Sequence, residues 1–131
     1  HVSNLMMVKN KIGVIDSQDA LIGNNAYDLA SLIDDVRFKT SKKIKKKIFD
    51  FYVQSQKKLN KNHFKNDFEI ISVLRNLKII GIFTRLAFRD SKREYLRLIP
   101  YAWNLIKLRS KNNKSLKDLN DLLKIFKKIN I

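Results

Sequence analysis

Cysteine is absent from this 131-residue chain, which excludes disulfides and thiolate metal cages of the zinc-finger kind. The same absence is compatible with a reducing, cytoplasmic setting. Glycine is scarce, at Gly13, Gly23 and Gly81 only, so no glycine-rich phosphate cradle is present. Histidine occurs twice, at His1 and His63; without cysteine or a G-x-S-x-G elbow, a nucleophilic triad has little support. Uncharged apolar runs are short: the longest apolar-rich stretch, Ile79 to Phe88, is broken by Arg85, well under the 18 or so residues of a spanning helix. The opening residues are not expected to be a signal peptide. It begins on His1, without an initiator methionine and with strand-like sequence almost at once, as expected of a fragment.

Acidic residues are few, 12 against 28 basic ones, for a net charge of +16. Their placement matters more than their number. Residues 1–35 hold Lys9 and Lys11 against Asp16, Asp19, Asp28, Asp34 and Asp35, leaving −3 there and +19 over the rest. A strongly basic chain suggests nucleic acid or an anionic membrane surface, and the run Lys42-Lys43-Ile44-Lys45-Lys46-Lys47 is the best candidate for following phosphates. A solvated helix face explains the run equally well, and no glycine-aromatic RNA motif or DNA-reading pattern accompanies it.

The length suits one core. Leu5 to Val8 and Ile12 to Ile15 read as strands around a Lys9-Asn10-Lys11 turn. Such a hairpin brings Asn4, just before the first strand, near Asp16, just after the second. Two oxygen donors facing one space suit a hard cation such as magnesium, which takes few protein ligands; turn and cap roles are the alternative. Asp16 and Asp19 also invite a paired-carboxylate acid/base site, which their spacing does not establish. After Gly23-Asn24-Asn25, a helix is expected from Ala26 to about Phe38 with Asn25 as its N-cap. Asp28 then falls in the first turn, where an acid favours the helix dipole. Asp34 and Asp35 are expected on a solvated face.

The rest reads as helical. Thr40 or Ser41 caps a helix to about Lys58, and a long helix follows from about Phe64 to Arg89, its second half central to the core. In that helix Arg75, Lys78 and Arg85 are either snorkelling side chains or contributors to an anionic-substrate pocket. Gly81 is expected to admit a close neighbouring helix. Ser91 and Glu94 suggest a capping box and Pro100 a kink or restart. Ser115 opens a last amphipathic helix through Leu116, Leu119, Leu122, Leu123, Phe126 and Ile129.

Asn4-Leu5-Met6, the strand ending Val14-Ile15-Asp16-Ser17-Gln18-Asp19-Ala20, Gly23 and AYDLASLIDDVRF together resemble the C-terminal lobe of the aminoglycoside phosphotransferase-like kinases. LRNLKIIGIFTRLAFRD, Leu74 to Asp90, is similar to the branch that phosphorylates N-acetylmuramate and N-acetylglucosamine. The resemblance covers roughly Asn4 to Leu108. It implies a mainly α, protein-kinase-like C-terminal lobe spanning residues 1–131, with a short N-terminal β-hairpin followed by about five helices.

The resemblance also implies ATP and Mg2+ as cofactors and a small-molecule sugar or aminoglycoside-like acceptor. In the family pattern H-x-D-x-x-x-x-N, Asn4 matches the metal-binding Asn and Asp16 the second metal ligand; Asp28 matches a structural brace of the catalytic loop. The catalytic Asp falls two residues before His1, so it is expected upstream, and this chain alone is expected to transfer no phosphate. Ser17 replaces an aromatic residue usual after the metal Asp, and Asn25 a proline often found before the helix. The contrasting reading is a basic helical module that binds nucleic acid or a membrane surface without catalysis.

Overall fold

The computed structural model describes residues 2–16 and 22–128. A single 3-10 turn, Val2–Asn4, leads into the hairpin of β1 (Leu5–Val8) and β2 (Lys11–Val14), antiparallel in the register Leu5 to Val14 and Val8 to Lys11. The turn is two residues rather than three, because Lys9 and Asn10 both take positive φ, 45° and 63°. That is the type I′ geometry whose twist matches paired strands.

Five helices follow, as expected: α1 (Ala26–Ile33), α2 (Lys42–Ser55), α3 (Lys61–Arg89), α4 (Ile99–Ser110) and α5 (Lys117–Lys128). The starts of α1 to α4 have local causes. The Ser41 hydroxyl accepts from the Ile44 N–H. The Asn60 side chain accepts from the N–H groups of Asn62 and His63. Pro100 sits in the first turn of α4, where its missing N–H costs nothing, so it marks a restart. At α1 the side-chain contact comes from Asn24, which accepts from the Ala26 N–H at 2.9 Å; Asn25 makes no cap bond. Ser91 takes φ 57° after α3 instead of forming a capping box, and a 3-10 segment, Arg93–Leu98, bridges to α4.

The spine is α3, 29 residues and therefore about 43 Å long. Its first turns pack Phe64 and Phe68 against Ala26, Leu29, Ala30 and Ile33 of α1, with Phe49 of α2 edge-on to Phe68 at 5.0 Å. Its middle places Val73 against Ile106 of α4 and Leu116 ahead of α5. Its last half places Ile79 and Phe83 against Val36, Ala102 and Leu105. That half is central on one side only: Phe88 is 79% exposed, and among the described residues nothing lies within 4 Å of a Cβ built on Gly81, so no described helix approaches there.

Two expectations fail at the end of α1. The helix stops at Ile33, not Phe38, and Asp34 and Asp35 are buried rather than solvated. The Asp35 carboxylate accepts the Arg37 N–H at 2.9 Å, a local turn that competes with helix continuation. Lys45, expected on the solvated basic face, is also buried. A buried ammonium needs a counter-charge, and Asp34 supplies it.

Candidate functional site

Asp34 is a fully buried hub joining four helices. It caps the end of α1, its N–H donating to the Ala30 carbonyl. Its Oδ1 accepts from Lys45 Nζ of α2 at 2.9 Å and Arg109 Nη2 of α4 at 3.1 Å; its Oδ2 accepts from Arg109 Nε at 2.7 Å and the Ser72 hydroxyl of α3 at 2.7 Å. Lys45 Nζ also donates to the Ile33 carbonyl, where a cation complements the negative end of the helix. The Arg109 guanidinium lies over the Phe68 ring, 4.8 Å from its centroid. Burial alone pushes the Asp34 carboxyl up, but the hydrogen bonds and charge of Arg109, the charge of Lys45 and the Ser72 hydroxyl outweigh it, and the group sits below its ordinary value.

Asp35 faces the other way, toward the hairpin. Its Oδ2 accepts the Val2 N–H at 3.2 Å, fixing the start of the 3-10 turn. Ile15 N–H donates to the Asn4 carbonyl at 3.0 Å and fixes the end. Between these ties Asn4 Nδ2 donates to Asp16 Oδ2 at 3.2 Å, so the hairpin brings together the two residues whose meeting the sequence implied. Asp16 sits at φ 63°, a left-handed conformation that Asp tolerates better than most residues and that clusters at functional sites.

The donor set suits magnesium. An amide and a carboxylate, each with an oxygen that could hold a hard cation, meet at an exposed edge through the Asn4 Nδ2 donor, and magnesium takes few protein ligands. Among the described residues no group of three or more His, Asp or Glu side chains forms a metal cage, which magnesium does not require. Asp28 is exposed in the first turn of α1. His1, Ser17 and Asp19 lie outside the described residues.

Arg75, Lys78 and Arg85 separate. Lys78 and Arg85 are exposed, whereas Arg75 is buried with its Nη1 lacking a hydrogen-bond partner among the described residues. Burial lowers its affinity for its proton, and the charge of Asp35 chiefly opposes that. The basic run of α2 is also less uniform than its composition: Lys45 is consumed by the core and Lys46 pairs with Asp50. A broad cleft of about 1370 Å³ between α4 and the α5 region, lined by Trp103, Asn104, Lys107 and Asn120 among others, shares no residue with the Asn4–Asp16 edge. Among the described residues no helix is long and apolar enough to cross a membrane.

Sequence reasoning missed the Asp34 hub and the Asp35 tie. One signal was available. An acidic pair at a helix C-terminus opposes the dipole, so two aspartates there call for buried cations.

A mainly helical chain opened by a hairpin brings an Asn and an Asp together at the hairpin's open end. The known proteins it is similar to are kinases. The chain is 31% identical over 108 residues to an N-acetylmuramate/N-acetylglucosamine kinase of Caulobacter vibrioides, covering 79% of this chain and 30% of that protein. It is 34% identical over 131 residues to the kinase of the same name from Neisseria meningitidis, covering 93% of this chain and 38% of that one. A third, from Pseudomonas putida, is 33% identical over 103 residues, 74% of this chain and 30% of the relative. No family model matches. The chain is a homologue of the N-acetylmuramate/N-acetylglucosamine kinases and spans about a third of their length.

Proposed function

We propose that this chain is the C-terminal lobe of an ATP-dependent amino-sugar kinase, with Asn4 and Asp16 as its magnesium ligands. The observation that carries the reading is the 3.2 Å contact of their side chains across the open end of the hairpin. The homologous kinases support the acceptor class: their name specifies N-acetylmuramate and N-acetylglucosamine. When bound, the cation neutralises charge on the nucleotide phosphates as the phosphoryl group moves. The chain's own part is to hold one amide and one carboxylate oxygen at a fixed edge. In this reading an aspartate of the H-x-D motif, contributed from upstream of His1, accepts the proton of the sugar hydroxyl. The hydroxyl oxygen bonds to the γ-phosphorus of ATP and ADP leaves. Asp28 keeps the role of a brace for that loop.

Two measurements test this on the 131 residues alone. Mn2+, a paramagnetic stand-in for magnesium, is expected to broaden the amide resonances of Asn4, Ile15 and Asp16 before those of α4 and α5; broadening that begins elsewhere contradicts the site. The same polypeptide is expected to transfer no phosphate from ATP to N-acetylglucosamine or N-acetylmuramate. Measurable ATP-dependent product would overturn the assignment of the base to an upstream segment.

A further inference from the structure

Asn4 has to be placed before it can bind anything, and a buried carboxylate on a distant stretch of chain does part of the placing. Asp35 is 1% exposed and lies 33 residues from Val2, whose N–H it holds. Its second oxygen is occupied by the Arg37 N–H, with Arg37 Nη1 at 3.6 Å. Arg75, also buried, stands near enough for its charge to act on Asp35. The carboxylate is therefore set in a fixed direction, by its turn on one side and by cations around it.

Its position in the chain adds to this. Asp35 follows Asp34 directly, and Asp34 is tied to α2, α3 and α4. The hydrogen bond to Val2 thus connects the rigid helical core to the one turn that ends in Asn4. On its other side that turn is tied to the hairpin, through Ile15 N–H to the Asn4 carbonyl. A two-stranded hairpin is weakly stable by itself, and most side chains of this one are exposed. Without Asp35, the Asn4 end of the site would lose its tie to the helical core and keep its tie to the hairpin.

We propose that Asp35 is a positioning residue that, by holding the Val2 N–H, sets the Val2–Asn4 turn and so presents Asn4 to Asp16. Its importance to catalysis rests on the magnesium reading above; its hold on the turn does not. The role differs from that assigned to Asp28, which is exposed at the other end of α1.

Val2→Pro tests it. The substitution deletes the N–H donor and leaves Asp35, Arg75 and the helical core untouched, and the fixed φ of proline suits the opening of a 3-10 turn. In the 131-residue chain, resonances of α1 to α4 and the thermal midpoint are expected to stay with the parent. Those of Ser3, Asn4 and Leu5 are expected to move toward disordered values, and half-maximal Mn2+ broadening at Asn4 and Asp16 to need about tenfold more metal, the lower end of what losing an outer partner costs a metal site. Turn resonances that remain at the parent's positions, with a coincident Mn2+ titration, would overturn the proposal. A loosened turn in Val2→Pro, with no broadening in either protein, would uphold the positioning role and sink the magnesium reading.

Discussion

Replacing Asp34 with alanine is expected to destabilise the chain by about 3–5 kcal/mol, the range for removing one partner of a buried ion pair. The loss would leave Lys45 buried and Arg109 largely so, without their shared counter-ion, and would strip the Ser72 hydroxyl of its acceptor. For a domain of this size that corresponds to a fall of roughly 10–20 °C in thermal midpoint. Asp34→Asn keeps the shape and an acceptor oxygen, so it should fall between alanine and the parent; equal midpoints for all three would show that the hub contributes nothing.

Acid is a second measurement of the same group. The folded-state pKa of Asp34 is depressed, so the folded state binds fewer protons than the unfolded one. The stabilisation is fully present above the unfolded value, near 3.9, and is lost as pH falls through the folded value. Helical signal followed from pH 6 downward should show stability declining below about pH 4 in the parent and a shallower decline in Asp34→Asn. Asp50, Asp90 and Asp121 are also depressed by neighbouring Lys46, Arg89 and Lys124, but those pairs lie in solvent, where screening leaves them little effect.

The fold was legible where pattern and local chemistry agree. Strand, turn and strand between Leu5 and Ile15 follow from two short apolar runs around Lys9-Asn10-Lys11, and the cap at Ser41 follows from a residue that prefers that place, whereas α3 begins at Lys61 behind Asn60, ahead of the expected Phe64. The meeting of Asn4 and Asp16 was legible for the same reason, since a hairpin necessarily joins its own ends. What could not be read was long-range. Periodicity carried α1 on to Phe38, because Ile33 and Val36 fit a helical face; the Arg37 N–H turned back to Asp35 instead. Charge alone made Asp34, Asp35 and Lys45 look solvated. The partners of Asp34 sit on other helices, 75 residues away in the case of Arg109, and no local signal names a partner at that distance. The Asp35 tie to Val2 is hidden in the same way: a backbone N–H has no sequence signature.

In the full-length protein, Asp16→Asn is expected to lower ATP-dependent sugar phosphorylation by at least about 100-fold, the upper end of what even an outer partner of a metal ligand contributes. The change removes the carboxylate charge and leaves a neutral amide beside Asn4, a poor ligand set for a hard cation that favours anionic oxygen. It should leave the fold alone. Asn adopts positive φ as readily as Asp, so the backbone at 63° is retained, and the side chain keeps an oxygen to accept from Asn4 Nδ2. Raised magnesium should recover part of the activity if weakened metal binding is the cause, while a backbone effect would not respond to the metal. Unchanged activity at ordinary magnesium, with an unchanged thermal midpoint, would contradict the role of Asp16. Activity lost together with the midpoint would instead make Asp16 a structural residue of the hairpin.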